Sequence, residues 1–246
     1  MIPTKEIKKL RSFHNNPKLK KDIVAEILNH QKQDQIIQGT YGVENGKWKG
    51  CAVGCSIHSY NIRYKKEIPT NNHKAYETEL GIPESLAQLE DRLFEGMSQE
   101  HALKWPAEFM KSIPVGADLS LVAPKFISAT LRDLLSVREV KDDKEVSKQV
   151  LHIAKMWDRV VNGRPPKAAA WSAAESAAWS AAWSAAESAA RSAARSAAWS
   201  AAWSAARSAA WSAAESAAWS AAESAAWSAA YYKMSRRLLK LLKICR

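Results

Sequence analysis

AAAWSAAESAAWSAAWSAAESAARSAARSAAWS, residues 168–200, opens a run of Ala-Ala-X-Ser tetrads that continues to residue 230. The variable position is Trp, Glu or Arg from Trp171 through Trp227, and Tyr at Tyr231. Ala is the strongest helix former, and neither Gly nor Pro occurs after Pro166, so helix is the regular structure this run favours. At about 100° per residue, a tetrad advances about 400°, and the variable position drifts by about 40° each time. Eight tetrad tryptophans spread over the helix surface in this way need cover, because an exposed rod of indoles would aggregate. The fold expected is therefore mainly α: a helical amino-terminal domain with a Gly-rich loop or short hairpin, packed with long Ala-Ser-Trp tetrad-repeat helices. The indole rings are expected to lie sheltered against the first half of the chain, beside a cavity.

Working outward, the composition changes at Gly163-Arg164-Pro165-Pro166, where Gly closes one helix and Pro suits the first turn of the next. This divides the chain into 1–163, 164–230 and 231–246. The last segment places Leu238, Leu239, Leu241 and Leu242 among Arg236, Arg237, Lys240 and Lys243, a basic amphipathic helix. Docking of its leucine face on the core is favoured over a membrane or nucleic-acid role. Before the repeat, Thr4 offers a cap for a helix through His14, and Asn16-Pro17 starts one with Leu19, Ile23 and Ile27 on one face, running towards Gly39. Pro83, Ser98 and Pro124 open three more, and Val146 to Val160 form another. Strand signals are confined to Tyr41–Tyr64, read as a hairpin or extended loop.

Composition excludes several classes. With 246 residues the chain needs no disulfide or metal staple to fold. Cys51, Cys55 and Cys245 do not make a disulfide framework, and the lysine-rich start lacks the apolar stretch of a signal peptide. No stretch offers the roughly 18 apolar residues of a membrane span. A cytoplasmic protein is expected. Lys+Arg 36 against Asp+Glu 25 gives a formal net charge of +11, which suits an anionic partner.

Five of nine glycines, Gly39, Gly42, Gly46, Gly50 and Gly54, crowd into one segment. Such a loop lets backbone approach a ligand and present amides to an anion, although it matches no phosphate-loop fingerprint. Cys51, Cys55 and His58 share a C-x3-C-x2-H spacing, one face of a helix, with His73 or Glu77 as a fourth group. Zinc-site pairs are usually C-x2-C, so neither metal nor cofactor is assigned. The same residues, Cys51, Cys55, His58, His73 and Glu77, are the catalytic set if the chain is an enzyme: a thiol, an imidazole to activate it and a carboxylate to orient the ring. Simple packing of small cysteines beside glycine is the competing explanation. Asp118 follows Gly116 and either caps a turn or faces a pocket.

The strings GCAVGCS (50–56), HKAYETELGIP (73–83), LEDRLFEG (89–96) and WPAEFMKSIPVGADLS (105–120) resemble a family of uncharacterised bacterial and phage proteins. Several of these also end in Ala-Ser-Trp-Glu-Arg tetrads followed by a basic, leucine-rich tail. The resemblance implies a prokaryotic or phage protein of the bacterial host cytosol, with a site in residues 39–120. It carries no activity or cofactor. The function expected is enclosure of an anionic, nucleotide-like small molecule, with sequestration of a host immune signal as its task. Gly50, Gly54, Tyr41, Trp48, Tyr76, Asp118, Arg191, Arg195, Trp199 and Trp203 are the ligand-binding candidates, since indole and guanidinium planes combine stacking with charge. Nucleic acid is a less favoured partner. A cysteine-dependent hydrolase or transferase and a helical interaction protein are the alternatives.

Overall fold

Asn16 Oδ1 accepts the Lys18 and Leu19 amides at 3.0 and 3.2 Å, and with Pro17 in the first turn it starts helix α1 (Pro17–Lys32). The structure, a computed structural model, describes residues 10–45, 47–136, 138–174 and 228–245, which are mainly helical. After α1 come a hairpin of β1 (Val43–Asn45) and β2 (Lys47–Lys49), then α2 (Ala52–Tyr64), α3 (Ala75–Leu80) and α4 (Glu84–Gly96). They are followed by α5 (Gln99–Ala102), α6 (Trp105–Ser112), α7 (Val122–Leu134), α8 (Arg138–Asp142) and α9 (Lys144–Val161). Helical turns at 168–174 (α10) and 228–243 (α11) complete the described residues.

The described residues form two compact units. One comprises 10–126 with 228–245; the other comprises 127–174. The division falls within α7 rather than at Gly163, because α9 shares its buried residues with the start of the tetrads.

In the larger unit α1, α2, α4 and α6 pack on one another around Ile23, Ile27, Val53, Ile57, Leu86, Phe94, Trp105 and Phe109, all buried. Burying such side chains contributes about 1.5–3 kcal/mol each. Helix α11 joins this core. Leu238, Leu239 and Leu242 are buried, the Tyr232 ring stacks on His101 at 3.9 Å, and Arg236 pairs with Glu108 at 2.8 Å. The basic terminal helix docks, as its leucine face requires. No described helix is long and apolar enough to cross a membrane.

In the smaller unit Trp171 lies 7% exposed against Met156, Val160 and Ala174, with its ring edge-on to Trp157 at 5.1 Å. The first tetrad indole is therefore covered by α9. Gly163 takes φ +68 just beyond α9, as expected of a helix stop, and Pro165-Pro166 precede α10 rather than entering it. The expected long tetrad helices, with Arg191, Arg195, Trp199 and Trp203, fall outside the described residues.

Three local expectations are corrected. Among the described residues no helix runs into His14: Leu10 and Arg11 are not helical, and residues 12–15 form a short 3-10 turn with Phe13, His14 and Asn15 at positive φ. Ser12 there exchanges backbone hydrogen bonds with Gly116 and Ala117, and Phe13 is buried. Helix α1 stops at Lys32, well before Gly39, because Asp34 turns left-handed and Ile36 then bridges Gly50. The span 41–64 is a hairpin only up to Lys49. From Ala52 it is helix, capped by Cys51, whose Sγ accepts the Gly54 amide at 3.4 Å.

Candidate functional site

Helix α4 is amphipathic. Leu86, Glu90, Leu93 and Phe94 turn into the core, which leaves Asp91 and Glu95, one turn apart, towards the segment before α2. Asp91 Oδ2 accepts the Tyr41 hydroxyl at 2.9 Å and lies 3.2 Å from His73 Nε2. Asp91 Oδ1 is buried and has no hydrogen-bond partner. Glu95 Oε2 accepts the Gly39 amide at 2.9 Å. The Cys51 thiol completes the group: its Sγ, an Asp91 oxygen and a Glu95 oxygen all lie within 4.8 Å of one another. Five side chains from four parts of the chain thus meet at a half-buried place, with His73 and Asp91 at 18% and 14% side-chain exposure.

Burial, joined by the neighbouring Asp91 carboxylate, pushes the Tyr41 phenol up to about 12, so it stays a protonated donor. Burial pushes the Cys51 thiol well up, against the Gly54 amide that favours the thiolate, and the Asp91 charge adds to the rise. Glu95 is raised by burial, partly offset by the Gly39 amide. Thiol and carboxylates crowd together, and among the described residues no Lys or Arg pairs with Asp91 or Glu95.

The sequence candidates separate into groups. Cys51, His73 and Tyr41 belong to the cluster. Asp91 and Glu95 were missed, although LEDRLFEG carries them at i, i+4 spacing; acids on an exposed helix stripe read as a solvated face. Cys55 turns the other way, its Sγ donating to Gly50 O at 3.4 Å, and burial raises it strongly. His58 Nδ1 lies 3.1 Å from His30 Nε2, and its ring stacks on Trp48 at 3.9 Å. Among the described residues, Cys51, Cys55 and His58 do not form a group of possible metal ligands. Glu77 pairs with Lys74 at 2.5 Å and accepts the Glu84 amide.

The ligand-binding candidates of the loop are occupied internally. The indole of Trp48 lies over Gly42 and Gly50, where an added Cβ would come within 2.7 Å of its ring. At Gly54 an added Cβ would overlap the Tyr41 carbonyl oxygen. These glycines serve close packing. The Gly50 amide donates to Gln35 O at 2.9 Å and the Cys51 amide to Thr40 O at 2.7 Å, so neither faces an anion. Tyr76 is fully buried and donates to Glu90 Oε2 at 2.6 Å; burial raises both groups, and neither reaches a ligand at the surface. Asp118 does two things. Its Oδ1 accepts the Ser120 amide at 3.0 Å, capping the turn, and it borders a cavity of about 270 Å³ with Lys125, Leu241 and Cys245.

In the tautomer that donates from Nε2 to the Asp91 carboxylate, Nδ1 keeps its lone pair. The arrangement therefore supplies a base (His73), a fixed hydroxyl donor (Tyr41) and a carboxylate holding both (Asp91). No family model matches the chain, and comparison with curated proteins and with solved structures gives no match.

Proposed function

We propose that the chain is an enzyme of the hydrolase or transferase kind, acting on a small molecule by acid–base chemistry at Tyr41, His73 and Asp91. The observation that carries this reading is the sharing of one Asp91 oxygen between a tyrosine hydroxyl and an imidazole, beside a thiol and a second carboxylate. His73 Nδ1 would take a proton from water or a substrate hydroxyl, Asp91 would stabilise the imidazolium that forms, and Tyr41 would hold the carboxylate in place. Cys51 is not the attacking group in this scheme, since burial and Asp91 keep its thiol protonated. Asp91 and Glu95 repel phosphate, so the reacting end of the substrate is neutral or cationic. That favours this reading over the cradling of a nucleotide phosphate by the glycine-rich loop.

The test is a turnover panel of esters, amides and amine or hydroxyl acceptors, run on the full chain and on His73→Gln and Asp91→Asn. Turnover should fall by about 10²–10⁴-fold in either variant, with helical circular dichroism retained. Folded variants that turn substrate over at the wild-type rate would remove the assignment.

A further inference from the structure

Of the five side chains in the cluster, Cys51, Asp91 and Glu95 each bring a possible ligand atom within 4.8 Å of the other two. Asp91 Oδ2 is committed to Tyr41 and His73, and its Oδ1 is buried without a partner. A carboxylate oxygen out of water and without a hydrogen bond is costly, and such groups in folded proteins are normally paired, hydrated or bound to an ion. Beside this carboxylate are the Cys51 sulfur, in a residue only 1% exposed, and the Glu95 carboxylate, with one ligand atom of each of the three residues mutually within 4.8 Å.

We propose that Cys51 Sγ, Asp91 Oδ1 and Glu95 bind a thiophilic divalent cation, with zinc the fitting occupant. Bonds of about 2.3 Å to sulfur and 2.0–2.2 Å to oxygen imply donor separations near 3.5 Å, inside the 4.8 Å within which the three atoms gather. Glu95 is exposed, so its side chain can adjust towards the other two donors. The surroundings match what a metal-ligating carboxylate needs. Tyr41 and His73 hold Oδ2 of Asp91 and leave Oδ1 without a hydrogen bond, and the Gly39 amide donates to Oε2 of Glu95. The Gly54 amide at the start of α2 donates to Cys51 Sγ and supports a thiolate there. On binding, the sulfur–metal bond replaces the S–H bond and the proton leaves to solvent. Three protein donors leave a fourth position for water or substrate, the pattern of a reactive rather than a closed structural zinc site.

The inference concerns the same cluster as the proposed reaction and rests on that reading only for its purpose: the ion would polarise the group that His73 deprotonates. Binding is measured apart from turnover. The full chain, stripped with chelator, is titrated with Co²⁺ and then with Zn²⁺. One equivalent of Co²⁺ should give a thiolate-to-cobalt charge-transfer band in the near ultraviolet, which Zn²⁺ removes. Cys51→Ser should abolish the band, Cys55→Ser should keep it, and Glu95→Gln, at an exposed position, should weaken affinity roughly 10–100-fold. Absence of the band in folded wild-type protein overturns the site, as does a band that survives Cys51→Ser or disappears with Cys55→Ser. Turnover that depends on His73 but ignores chelator would leave the acid–base reading standing and remove the metal.

Discussion

His30 is 2% exposed, with Nε2 3.1 Å from His58 Nδ1 and its ring tilted against Trp48 at 5.3 Å. Burial, then the charge of His58, holds its pKa down to about 4 from 6.5, with Gln35 opposing weakly. A base whose folded pKa is depressed favours the native state fully above the unfolded value, and that advantage fades as pH falls. The unfolded chain takes up a proton below about pH 6.5 that the native chain refuses until about pH 4, so stability drops by up to about 3 kcal/mol over that window. Buried Glu90, whose pKa is raised, contributes a slope of opposite sign above the normal carboxylate range. Urea midpoints for wild type and His30→Gln between about pH 7 and pH 4.5 isolate the histidine: the variant should lose most of the decline. Residue identity told part of the site in advance. Cys51, His73 and Tyr41 attract notice because thiol, imidazole and phenol beside glycine suggest chemistry. Asp91 and Glu95 do not, since acids four apart on an amphipathic helix have a sufficient explanation in water. His58 misleads for a related reason: spacing fixes which residues share a helix face and says nothing of what stands opposite.

Among the elements, α4, α9 and α11 are legible because each carries an apolar stripe at helical spacing, and periodicity is the strongest local signal. Helix α2 is not. Val53, Gly54, Ile57 and Ile62 lower helix propensity, and the helix is held by packing on α1, α4 and α6 that no local window contains. Helix α11 shows which of its two faces matters for stability. Leu242 is wholly buried, whereas Arg236 pairs with Glu108 at 47% and 43% side-chain exposure. Leu242→Ala removes buried methyl groups and leaves a cavity, and should destabilise the larger unit by about 2–5 kcal/mol. Arg236→Ala removes a solvated ion pair and should change it by less than about 1 kcal/mol. Denaturant titration followed by circular dichroism reads both. If the arginine variant were the more damaging, the terminal helix would be held by charge and its leucine face would be incidental.

At the scale of the whole molecule, two units with separate buried cores replace the boundary that composition suggests at Gly163. Composition registers where the sequence becomes repetitive, while packing decides where cooperativity ends, and here α9 is built from ordinary sequence yet buries the first tetrad tryptophan. Met156, Val160, Trp171 and Ala174 form that core, and none of them belongs to the cluster around α1, α2, α4 and α6. Cooperative unfolding follows contiguous cores, so perturbing one should register in its own transition first. Trp171→Ala removes a large indole at 7% exposure and should destabilise the smaller unit by about 3–5 kcal/mol. Calorimetry on the full chain should then show a low-temperature transition moved down by Trp171→Ala and a second one moved by Leu242→Ala, each with little effect on the other. A single transition shifted alike by both substitutions would mean that the units fold as one. Fluorescence adds a check on direction, because a buried indole emits to the blue of a solvated one. Loss of Trp171 should therefore remove blue-shifted emission from the folded protein, and unchanged emission would place that ring in water.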